Sequence, residues 1–271
     1  MTMASSLAAA LYFDTELASN VEPFARLTAT LFSSKEHQFV QFSMPIENTK
    51  ARPPSSFDVP KLLKRITDGQ VSLVAVETEA KTPDHDQMRV SVTTTPIAQR
   101  PERFFSQTRC RYVCHAQFGP SPLAALGTQR VLDALIAFAD AVQTRAGIVL
   151  WADTTLFASC LVSTGSSSKL TRDEDQQVLA SMDGQSRWGD TIRGPQWGTF
   201  LGSDHVARLG GIERIERDSR CARVVGIASG GAFLQATTID DPIVVGHDDG
   251  GKLARLTAFL APVMAANTGS A

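Results

Sequence analysis

Residues 192–216 read IRGPQWGTFLGSDHVARLGGIERIE. A Trp, a Phe, a His and five glycines share these 25 positions, so the stretch is either a site or a piece of fold. TFLG is a short apolar segment. Ser203 or Asp204 can cap a short helix, HVARL, and Gly210 can take the left-handed conformation that ends it. Trp197, Phe200, Val206, Leu209 and Ile212 then bury one side. His205 and Arg208, three apart, share the outer face. No nucleophile is paired with a base, so the stretch reads as a fold element with one outward face.

Working outward, ARVVGIAS and GAFLQATT form a strand pair, and a closing helix over 250–261 carries Leu253, Leu256 and Leu260 on one face. Upstream, a helix over 128–145 presents Val131, Leu132, Leu135, Phe138, Ala139 and Val142. IVLWAD follows it as a strand. The segment LAAALYFD is a strand, followed by a helix over 20–34 with Asn20 as cap, Pro23 in the first turn and a stripe of Val21, Phe24, Leu27 and Leu31. HQFVQFS is a strand with Phe39 and either Val40 or Phe42 inward. MPIENTKARPPSSF is a surface loop. Asp58 caps the helix VPKLLKRI, which Gly69 ends. VSLVAVET and MRVSVTTT pair antiparallel across a polar hairpin loop.

Residues 7–43 and 110–152 both run strand, helix, strand. This predicts an α+β fold: two similar strand-helix-strand-containing units, with antiparallel or mixed sheets, packed into one compact body. The units are 1–108 and 109–271, the second carrying WGTFLG…RLGG, and they can equally be one fused domain.

The 271 residues are 43% hydrophobic and 20% charged, enough for a sizeable core. Net charge −2 and a pI of about 6.2 attract neither nucleic acid nor anionic lipid. The apolar start lacks a basic n-region, and LTAFLAPVMAA is too short to span a bilayer. A cytoplasmic protein is expected. Cys110 and Cys114 lie in CRYVCHAQF, read as one strand. Four residues of strand separate them by about 13 Å, too far for a disulfide, and His115 faces the other side.

The chain has no GxSxG, GxGxxG, HExxH or complete P-loop. His85, His205 and His247 with nearby Asp leave a metal-dependent hydrolase open as one alternative. A non-catalytic scaffolding subunit is another. The paired acids Asp240/Asp241 and Asp248/Asp249 fit turn chemistry, with Asp249 at or beside the cap of the last helix. They also fit an acidic surface for a basic partner.

The run IRGPQWGTFLGSDHVARLGGIERI resembles the signature of the type VI secretion immunity-protein family, and is similar to predicted immunity proteins of polymorphic toxin systems. Trp197, Leu201, Gly202, Leu209, Gly210 and Gly211 carry the match, with Phe200 inside it. LAAALYFD with its helix resembles the family's opening, and VVGIASGGAFLQATTIDDPIVVGHDDGGKLARLTAFLAPV its ending. The resemblance implies a protein that is not an enzyme, needs no cofactor, and neutralises a cognate secreted toxin by stoichiometric binding. The outer face of the motif, His205 and Arg208, is then expected at the toxin, and if that toxin is basic, a nuclease for example, Asp240, Asp241 and Asp248 are expected to steer it.

Overall fold

The structure, a computed structural model, describes residues 6–33, 39–45, 55–56, 58–78, 86–94, 110–153, 191–192, 194–245, 247 and 249–264. The apolar run near the start forms β1 (Ser6–Phe13), in which every residue is buried. Leu7, Ala9, Leu11 and Phe13 point into one core, and Ala8, Ala10 and Tyr12 into a second on the opposite face. A strand enclosed on both faces needs apolar side chains at consecutive positions. That is why LAAALYF does not alternate.

β1 is antiparallel to β6 (Tyr112–Phe118) on one side, from Leu7↔Phe118 to Phe13↔Tyr112. On the other it is antiparallel to β7 (Ala146–Ala152), from Ser6↔Ala152 to Tyr12↔Ala146. Outward from β6 lie β5 (Met88–Thr93), β4 (Val71–Thr78), β2 (Phe39–Pro45) and the two-residue β3 (Ser55–Ser56). Outward from β7 lie β8 (Gly198–Leu201), β10 (Ala232–Gln235) and the edge strand β9 (Arg223–Gly226). The ten strands among the described residues make one sheet, and every ladder in it is antiparallel. The expected α+β class holds. The sheet runs straight across the 108/109 division, because β5 pairs with β6 and β1 sits between β6 and β7.

The first face is covered by α1 (Glu22–Leu31), α2 (Val59–Thr67), α3 (Pro120–Leu126) and α4 (Thr128–Ala141). Phe24, Leu27 and Leu31 of α1 and Val131, Leu135 and Phe138 of α4 enter this core. Asp58 caps α2 as expected, accepting from the Lys61 N–H at 3.0 Å. Asn20 accepts from the Glu22 N–H at 3.3 Å, although Val21 holds the cap position of α1. The second face, over β1, β7, β8 and β10, is covered by α5 (Ser203–Arg208), α6 (Ile212–Asp218), α7 (Lys252–Leu260) and the 3-10 turn Ala261–Val263. Over β4 and β5 that face carries the partly buried Leu73, Glu77, Arg89 and Ser91 beside the buried Ala75 and Thr93.

The cysteine reading needs one correction. Cys110 precedes β6 and packs in the second core, whereas Cys114 lies in β6 and packs in the first. The pair therefore straddles the sheet, and the two are not bonded to each other. Burial pushes the Cys114 thiol far above its ordinary range.

Candidate functional site

The motif of residues 197–211 sits where β8 hands the chain to α5. Trp197 is 1% exposed. Its indole N–H donates to Thr237 Oγ1 at 3.1 Å, and its ring meets Trp151 edge-on at 5.6 Å. Phe200 is fully buried against Phe233 at 4.7 Å, and Leu201 faces the second core. A Cβ at Gly198 would lie 2.9 Å from both Phe233 and Val149, so the sheet closes there only without a side chain. Gly202 likewise lets β8 approach the Arg145 carbonyl, which a Cβ would meet at 2.7 Å. Gly210 and Gly211 have φ of +91° and +93°, the left-handed region that lets α5 end and α6 begin at once. The motif is therefore built into the fold, as the sequence indicates.

His205 overturns the expected outer face. It is 1% exposed, and its Nδ1 accepts from the Gly202 N–H at 3.4 Å. The cap position belongs to Gly202, not to Ser203 or Asp204. On so short a helix, positions 205, 206 and 209 fall side by side, so His205 joins the Val206–Leu209 stripe. Arg208 does face outward, with its guanidinium donating to the Pro262 carbonyl. It ties α5 to the 3-10 turn.

Asp240 and Asp241 are exposed in the turn after β10, while Asp248 lies outside the described residues. Asp241 pairs with Lys252 Nζ at 2.6 Å. Asp249 accepts from the Gly251 and Leu253 N–H groups at 2.8 and 2.6 Å, so it satisfies the start of α7 from two residues ahead of the cap position, which Gly251 holds. β8 and β10 pair with Leu201 opposite Ala232 and Gly198 opposite Gln235. The acids thus follow the Gln235 end and α5 follows the Leu201 end. The structure places the candidate contacts at opposite ends of these strands.

At the α5 end lies a cleft of about 240 Å³ that sequence reasoning did not anticipate. Asp14, Arg145, Gln143, Ser203, Asp204 and Ser229 line it. Arg145 and Asp14 pair across it at 2.8 Å, each about a third exposed. Its lining comes from four separate segments, around residues 14, 145, 203 and 229, so no local pattern signals it.

Of the histidines weighed for a metal site, His85 lies outside the described residues. His205 is spent on the Gly202 backbone, and His247 meets Asp153 at 3.1 Å on the surface. Among the described residues, no three His, Cys, Asp or Glu side chains are grouped to hold a metal ion. Nor is any helix among them long and apolar enough to cross a membrane.

No family model matches the chain, and no curated protein matches it in sequence. In fold, the chain is similar to the solved structure of a Pseudomonas aeruginosa T6SS protein, PA0821. The TM-score is 0.60 at 12% identity, over 96% of this chain and 73% of that one. The likeness at that identity is one of architecture.

Proposed function

We propose that this chain is an immunity protein: it binds a cognate toxin delivered by a bacterial secretion system and blocks it stoichiometrically, without turnover. The observation that carries this reading is the fold likeness to a T6SS protein over 96% of the chain. The resemblance of Trp197, Leu201, Gly202, Leu209, Gly210 and Gly211 to the immunity-family signature supports it independently. The partner is a basic toxin in the cytoplasm, a nuclease being the chemistry that best suits the acids. Exposed Asp240 and Asp241, with Asp248, steer it, and Arg208, at the opposite end of β8 and β10, is a separate candidate contact. Charges at an interface rim act mainly on association rate and are screened over about 8 Å at physiological salt.

The test is rescue. The product of the adjacent gene is expressed with and without this chain in a susceptible host, and the mixture is resolved by size-exclusion chromatography. Restored viability and a complex of fixed stoichiometry are expected. A toxic neighbour that this chain neither binds nor neutralises would sink the proposal, as would the absence of any toxic product beside it.

A further inference from the structure

Nearly every arginine among the described residues has a partner. Arg26, Arg89, Arg145, Arg214, Arg217 and Arg223 each reach a carboxylate. Arg130 and Arg208 donate to backbone carbonyls, and Arg111 lies over the Tyr112 ring. Arg65 has interactions of its own. Arg220 and Arg255 differ: neither guanidinium has a partner among the described residues, and both line the same pocket of about 70 Å³.

Arg220 stands in the turn between α6 and β9, at φ +55°, and Arg255 in the first turn of α7. Lys252 is the third cation on the rim, with the Asp241 carboxylate as its neighbour. Ser219, Cys221, Ala236 and Leu256 complete the lining. The pocket thus gathers three positive charges against one negative charge over a partly apolar floor. An anion seated in this pocket is attracted by each of these positive charges. The guanidinium fork matches the oxygens of a phosphate or carboxylate group. A space of roughly 10–15 Å³ on this measure holds one water. A pocket of about 70 Å³ therefore has room for one oxyanionic group.

We propose that this pocket binds a phosphate-type oxyanion between the guanidinium groups of Arg220 and Arg255. The proposal is independent of toxin neutralisation. The anion arrives either as free phosphate or as the phosphate group of a monoester.

Calorimetric titration of the full chain with inorganic phosphate and, separately, with O-phosphoserine tests it, with ionic strength held constant by sodium chloride. Saturable one-to-one binding is expected. Arg220→Gln or Arg255→Gln should weaken it about tenfold or more, the scale of a lost hydrogen bond to a charged group, and the double variant should abolish it. Asp241→Asn, which frees Lys252, should tighten it. Tighter binding of O-phosphoserine assigns the site to a phosphate carried on a larger molecule, and tighter binding of inorganic phosphate assigns it to the free ion. In the unaltered protein, phosphate should shift the Nε–Hε resonances of two arginines, a readout that needs no variant to fold. No saturable binding, equal binding by the double variant, or no arginine shift overturns the proposal.

Discussion

β1 and β5 lie two places apart in the sheet with β6 between them, and they are covered differently. β1 is buried at all eight positions. β5 alternates from Met88 to Val92: Met88, Val90 and Val92 enter the first core, while Arg89 and Ser91 are only partly buried on the other face, and only Thr93 at its end is buried there. His115 of β6 stands at the border, paired in register with Ala10 on one side and Ser91 on the other. Two neighbouring positions on one sheet face thus differ in enclosure because α5, α6 and α7 cover β1, β7, β8 and β10. Period-two patterning marks a strand with one apolar face, and an unbroken apolar run marks a strand with two.

The hardest test of the enclosed region is Trp197→Ala. A fully buried aromatic should cost about 3–5 kcal/mol of stability, read by urea unfolding. An unchanged midpoint would show that Trp197 is not part of the core. Next, Ala10→Leu should overpack the doubly covered strand by about 1–3 kcal/mol, whereas Ser91→Leu should stay within about 0.5 kcal/mol. Equal costs would erase the comparison. Asp249→Ala, which removes both N–H contacts at the start of a covering helix, should cost about 0.5–2 kcal/mol. Faster amide exchange confined to α7 and its neighbours is the expected signature.

The last effect is a slope confined to acidic pH. Burial first, and then the Arg89 cation, lowers the His115 pKa from 6.5 to about 4. The fold therefore favours the neutral ring. The associated stability is complete above pH 6.5 and is lost as pH falls towards about 4, because the unfolded chain takes up the proton first. His115→Gln should flatten unfolding free energy across that window. A variant with the same acid slope as the parent would place its origin elsewhere.

Much of this architecture is legible in the chain. The Val21–Leu31 stripe, the Asp58 cap, the β4–β5 and β9–β10 pairs and the Leu256–Leu260 face all follow from spacing and capping chemistry, whereas Leu253, expected on that face, packs against the first core. α3 and α6 do not. α3 is a seven-residue helix with two prolines, and α6 has only Ile212 and Ile215 as apolar residues. Too few turns repeat for a period to show in either. The side taken by His205 escaped because its ring turns back onto Gly202, a choice that short-range spacing leaves open. The order of strands, the cleft beside Asp14 and the pocket beside Arg220 are products of distant pairings, which propensity does not encode.

The central place of β1 has a consequence for biosynthesis. It is the first described strand to leave the ribosome, yet its partners are centred on residues 112–118 and 146–152. At about 5–20 residues per second, LAAALYF waits roughly 5–30 s for both neighbours to emerge. During that interval two apolar faces and two unpaired edges are uncovered together. Chain elongation, rather than local propensity, then governs when the nascent protein first becomes safe from aggregation. A ribosome stalled before β7 would leave β1 without one of its partners and keep it a substrate for chaperones that recognise exposed apolar segments.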